Sequence, residues 1–189
     1  MNQLQEYIST YFGVDESHLH KISELFEEIT LGKGVFFSKN GQYCHNLAFV
    51  KEGYFRVYLQ TDKKEVTQWI SSPGEFIADL RSLKFNQPAR WNIEAITSSI
   101  IYTINEENYN KIGTLIPEWS ELEKLFLAKC FLTLEDRVFS FISLSAEERY
   151  NLLFEHKKAL FNQIPLHYIA SMLGMTPETF SRIRKKSIS

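Results

Sequence analysis

Two cysteines, five prolines and no long apolar run set the first limits on this 189-residue chain. Cys44 and Cys130 are too few and too far apart for a disulfide framework, a thiolate zinc site or a four-cysteine iron–sulfur cluster, and read as buried or idle thiols. No segment approaches the roughly 20 consecutive apolar residues of a membrane span, and the first ten residues, MNQLQEYIST, lack the basic-then-apolar order of a secretory signal. The expectation is a cytoplasmic protein without a membrane partner. Catalytic apparatus is equally scarce. No glycine-rich phosphate loop appears, and of the five histidines only His45 falls among the expected barrel strands, which is too few for a cupin-type metal site. His18 and His20 stand two apart on an expected helix and so point in different directions. Enzyme, metal centre and identifiable cofactor are all argued against.

Charge is not in excess either, since the formal net charge is -2. Its distribution is uneven: residues 176–189 hold Arg182, Arg184, Lys185 and Lys186 against Glu178 alone, a +3 tail on a body of -5. A short basic terminus on an acidic body suits a local contact with a polyanion.

What is present reads as a barrel between helices. Apolar residues make up 44% of the chain, enough for a sizeable core. From Gly34 to Ile104, short runs of Val, Ile, Phe, Tyr and Trp are punctuated by turn residues, predicting strands near 34–38, 46–51, 54–60, 65–70, 91–96 and 99–104. In Tyr54–Gln60 the residues Phe55, Val57 and Leu59 share one face and Tyr54, Arg56, Tyr58 and Gln60 the other, with a turn at Asp62-Lys63-Lys64. Strands this short and regularly spaced predict a jelly roll. A helical region from Leu4 to Ile29 precedes it, carried by Ile22, Leu25, Phe26 and Ile29. A second helix, from Pro117 to about Phe141, would be about 37 Å long. Leu115, Trp119, Leu122 and Phe126 keep a 3-4 spacing along it, compatible with a dimer seam or with packing on its own barrel.

Between Ile164 and Lys186 the local signals converge. Pro165 opens a short helix with Ile169, Ala170 and Leu173 on one face; Gly174 permits a left-handed stop. Thr176 then offers an N-cap, Pro177 suits the first helical position and Glu178 complements the dipole. In this second helix Phe180 and Ile183 can face the first, while Glu178, Arg182 and Lys185 form a separate stripe with Ser181 beside it. The pair reads as a helix-turn-helix for the major groove of double-stranded DNA. Glu178 suits cytosine N4 and Arg182 the edge of guanine; Thr176 and Thr179 suit phosphates, and Arg184, Lys185 and Lys186 supply sequence-independent attraction.

The stretch LHYIASMLGMTPETFSRIRKK, preceded by SAEERYNLLF, resembles the helix-turn-helix of the Crp/Fnr transcription regulators, and FVKEGYFRVY and SPGEFI resemble the glycine turns of their barrel. The resemblance implies an α+β chain: a cyclic-nucleotide-binding-like jelly roll with flanking helices (1–116), a long dimerisation helix (117–143) and a small helix-turn-helix domain (144–189). It implies a homodimer on DNA, a contact with RNA polymerase and a small-molecule effector. Base reading by Glu178 and Arg182, and a phosphate contact by Thr179, follow from it. A module that senses a ligand and acts through protein rather than DNA is the alternative.

Two departures qualify the resemblance. Relatives that bind cyclic AMP carry Gly-Glu-Leu and then Arg-Ser-Ala or Arg-Thr-Ala, where this chain has Ala78-Asp79-Leu80 and Pro88-Ala89-Arg90-Trp91. The arginine is displaced by one position, so tight binding of cyclic AMP is not expected; Phe76, Asp79, Arg90 and Trp91 are the candidate lining of an effector pocket, and Arg81 and Lys84 stand nearby. The sequence also ends at Ser189, short of a full β-hairpin wing, from which modest affinity for DNA is expected.

Overall fold

A computed structural model describes residues 1–188; Ser189, the last residue of the expected helix-turn-helix domain, lies outside the described residues. Asn2 and Gln5 close a capping box that starts α1 (Gln3–Phe12), and Gly13, at φ 72°, ends it in the left-handed region. After α2 (Glu16–Ser23) the chain becomes extended in β1 (Glu27–Leu31). The helical region expected over Leu4–Ile29 is two helices, and its last residues belong to a strand. Ile29 continues the helical row of Ile22, Leu25 and Phe26 in sequence, yet it pairs with Ile101 in a sheet.

Seven further strands follow: β2 (Phe36–Ser38), β3 (Asn46–Glu52), β4 (Phe55–Gln60), β5 (Glu65–Ser71), β6 (Phe76–Ala78), β7 (Asn92–Ala95) and β8 (Ser99–Asn105). They form two antiparallel four-stranded sheets, in the orders β1-β8-β3-β6 and β2-β7-β4-β5. Ala48, Val50, Phe55, Ile77, Ile93, Ala95 and Ile101 fill the space between them. The interior is packed with side chains.

Both sheets are also covered from outside, and the covering layers make up the rest of the molecule. Leu47, Phe49 and Ile104 point outward from the first sheet into a cluster with α1, α2, α4 (Glu106–Leu115) and α5 (Trp119–Ser143). This explains why Leu47 to Val50 are all buried: alternate side chains enter two different apolar layers. Trp119 and Phe126 of α5 pack there against Phe12, with ring centroids 4.8 and 4.6 Å away, and Leu115 and Leu122 join them. The row considered as a dimer seam thus faces its own barrel. Exposed apolar side chains lie further along α5: Leu127, Phe131, Leu134, Val138 and Phe141 form one row, and Leu125, Leu132, Phe139 and Ile142 are exposed beside it.

The turn between β3 and β4 depends on Gly53, at φ 85°. A Cβ there would stand 2.1 Å from Ser99 Oγ and 2.7 Å from the Ser98 carbonyl oxygen. Gly53→Ala is expected to destabilise the chain by about 2–4 kcal/mol, combining left-handed strain with a backbone clash. Urea denaturation of the variant against the parent checks this.

Candidate nucleic-acid interface

Five helices remain to be placed: α3 (Leu80–Phe85), between β6 and β7, and, after α5, α6 (Ala146–His156), α7 (Leu160–Gln163), α8 (Leu166–Met172) and α9 (Pro177–Ile188). Helices α8 and α9 are joined by a Schellman-type turn in which the Met175 amide donates to the Ala170 carbonyl at 3.0 Å and Gly174 adopts φ 69°. A side chain at 174 would collide with Phe141 at the end of α5, 2.7 Å from its Cε1. Phe180 and Ile183 are buried with Tyr150, Phe161, Ile169, Ala170 and Leu173, so the inward face of α9 is fixed by an apolar core. That core also contains Ile70 and Ile96 from the β-sandwich.

The outward face of α9 brings Glu178, Ser181, Arg182 and Lys185 together, all exposed. Thr176 caps the helix: its hydroxyl accepts from the Thr179 amide at 3.3 Å. The Glu178 carboxyl is held below its ordinary range by its own backbone amide and then by the Thr176 hydroxyl. Lys186 instead reaches α6, where its Nζ lies 2.8 Å from Glu147, an exposed ion pair that contributes little and exchanges readily. Arg184 is half-buried and lines, with His167, Ser181 and Lys185, a cleft of ≈280 Å³ between α8 and α9. His167 is absent from the sequence-derived set, because its place beside α9 arises only when the two helices cross.

Of the residues considered for an effector pocket, Asp79, Arg90 and Trp91 are brought together, and Phe76 stands apart from them. Phe76 points outward, edge-on to Tyr11 and Phe126 with centroids 5.4 and 5.0 Å away, because it is Ile77 that faces the barrel interior. Trp91 packs against the interior cluster, while Arg90 is exposed and lies over the Trp91 ring at 4.9 Å. Asp79 is buried and fully engaged: one carboxylate oxygen accepts from the Ser82 amide at 3.0 Å, the other from the amides of Arg90 and Trp91 at 2.9 and 3.0 Å. The backbone donors that an external anion would need are directed at this carboxylate. Ala89 is also buried, and its amide and carbonyl bond to the turn at Gly41 and Gln42.

The family model of the cyclic nucleotide-binding domain matches residues 28–113, the segment that contains every strand but the first residue of β1. Over residues 28–113 the chain is similar to the domains of that family. FixK2 from Bradyrhizobium japonicum superimposes with a TM-score of 0.73 at 18% identity, covering 85% of this chain and 83% of its own. The catabolite activator protein of Thermus thermophilus (TM-score 0.57, 21% identity) covers 92% of this chain and 84% of its own. A CooA mutant from Carboxydothermus hydrogenoformans (0.64, 21%) covers 95% and 83%. The chain shares its fold with these three proteins over 85–95% of its length. No curated protein sequence matches it. Among the described residues, no helix is long and apolar enough to cross a membrane, and no cluster of His, Cys, Asp or Glu is arranged to hold a metal.

The capping geometry carries a pH consequence. A carboxyl depressed on folding stabilises the fold at pH above its unfolded value, and that contribution is lost as pH falls through the lower folded value. Thr176→Ala is expected to weaken the α9 cap by about 0.5–1 kcal/mol, given the long hydrogen bond, and to move the Glu178 carboxyl back upward. Carboxyl titration by NMR and thermal melts of both proteins check the two effects.

Proposed function

We propose that the chain is a sequence-specific DNA-binding regulator of the Crp/Fnr type, active as a homodimer, whose barrel does not respond to cyclic AMP. The observation that carries the reading is the exposed ridge of Glu178, Ser181, Arg182 and Lys185 on α9, braced from behind by the buried Phe180 and Ile183. A ridge of acid, hydroxyl and planar cation on a helix with a rigid seat suits base edges in the major groove, with Glu178 and Arg182 one turn apart as readers. Thr176, Thr179 and the cleft cations Arg184 and Lys185 face the positions of phosphates; Lys186 joins them on leaving Glu147. No catalytic step is assigned to the chain.

A second copy is the partner that suits α5. Leu127, Phe131, Leu134, Val138 and Phe141 recur at intervals of four and three and are 38–62% exposed, the pattern of a two-helix seam awaiting its mate. Two copies related by a twofold axis would present their α9 ridges to successive major grooves, about 34 Å apart. The cyclic AMP reading rests on Asp79. Its carboxylate already takes three amides, the space between the sheets is filled, and Arg90 projects to solvent, so a nucleotide phosphate meets neither free donors nor a converging cation.

Selection from a random duplex library is expected to enrich a palindromic site whose binding weakens steeply with salt. Arg182→Ala should relax preference at one base pair in each half-site by about 1–3 kcal/mol. Binding to protein targets alone, insensitive to salt, would favour the non-DNA module. In sedimentation, Phe131→Glu combined with Val138→Glu should yield a monomer, and its affinity for the enriched duplex should fall by at least about a hundredfold. Calorimetric titration with cyclic AMP should give no heat of binding; a micromolar dissociation constant would overturn that part of the reading.

A further inference from the structure

Alternation in β4 gives Arg56 and Tyr58 to the outer face of the second sheet, a face that would be wet in an isolated sandwich. In the chain both are buried, at 3% and 7% exposure, with α8 packed on the neighbouring strand β5 and its Tyr168 over Arg56. The Arg56 guanidinium is stacked between two rings, with its Cζ 4.1 Å from the centroid of Tyr58 and 4.0 Å from that of Tyr168 on α8. Its Nε donates to Thr67 Oγ1 at 2.9 Å and its Nη1 pairs with Glu65 at 2.6 Å. The contact continues along α8: the Thr67 amide, on the edge strand β5, donates to Ser171 Oγ at 3.0 Å. At the carbonyl end of α8, Arg137 of α5 donates to the Met172 oxygen at 2.9 Å and Arg149 of α6 to the Leu173 oxygen at 3.2 Å. Lys157 meets Glu75 at 2.5 Å on the same side. A buried cation is retained at a domain boundary only with this degree of partnering, and its planar group has no freedom to re-form the stack in another orientation.

We infer that Arg56 and Tyr168 form a brace that fixes the direction of α9 relative to the sandwich and to α5, and so determine the half-site spacing that the dimer accepts. This rests on the DNA-binding reading above. Arg56 and Tyr168 are positioning residues, since neither lies on the exposed ridge of α9. One added base pair moves the second half-site by about 3.4 Å and rotates it around the duplex, so a braced dimer discriminates between spacings and an unbraced one follows the site.

The test uses the full chain, with two variants. Arg56→Lys retains a cation beside Glu65 and loses the plane between the rings; Tyr168→Ala removes one ring from a half-buried position on α8. In the free protein, Tyr168→Ala should speed amide exchange at Thr67 and along α8 by more than about tenfold, with β3 and β8 still protected. On a duplex enriched by selection, the parent protein should lose more than about tenfold in affinity when one base pair is inserted between half-sites. Both variants should lose less than about threefold on the same insertion, with base preference inside each half-site unchanged. Variants that keep the parent's spacing profile overturn the inference, whether or not exchange quickens. Should the parent bind no duplex at all, the DNA reading falls and takes the spacing role with it. Should the parent bind but tolerate the insertion, the brace alone is refuted.

Discussion

The seat of α8 on the second sheet depends on the burial of Arg56 against Tyr168. Removing a guanidinium from water is costly, and here the cost is offset by an ion pair, a hydroxyl acceptor and two aromatic faces, one of them supplied by α8. Remove that ring and the cation loses one of its partners while staying next to the sheet. The contact therefore gives α8 a definite seat, and the short turn at Gly174, pressed against Phe141, transmits that seat to α9. The outward direction of Glu178 and Arg182 thus follows from packing more than thirty residues away from them in the chain.

Asp79 imposes a similar restraint on the barrel. A carboxylate that caps α3 through Ser82 and simultaneously binds the amides of Arg90 and Trp91 ties the helix after β6 to the loop before β7. Covalent attachment gives the internal carboxylate an advantage no dissolved phosphate matches at ordinary concentrations. The shorter acid and the displaced arginine noted in the sequence have, in three dimensions, a shared basis: the backbone is ordered around Asp79 with Arg90 turned to solvent.

Local signals were the legible part of this chain. Turn glycine, threonine cap and proline specify the α8–α9 corner within a dozen residues, and Phe180 and Ile183 occupy the face their spacing indicates. The strands from β2 to β5 and β7 to β8 were similarly readable from alternation and turns. Where distant segments decide, the pattern misled. Ile29 extends a helical row yet lies in β1, because α2 has already ended at Ser23 and the sheet claims the chain after Phe26. Trp119 and Phe126 have seam spacing, but α1 reaches them first with Phe12. Arg56 and Tyr58 alternate as a solvent face does, and nothing near them in sequence announces that Tyr168 will cover them. Phe76 illustrates a finer failure, in which one residue of register separates the barrel interior from the outer layer.

The apolar cluster behind α9 is not closed by the C-terminal helices alone, for Ile70 and Ile96 of the sandwich complete it. A fragment cut at the end of α5 would expose that unfinished side to solvent. Such a helical unit is poorly suited to being transplanted onto another β-sandwich by recombination, and substitutions on either side of the junction are constrained to change in step. The boundary visible in the connectivity is thus not a line along which this molecule comes apart.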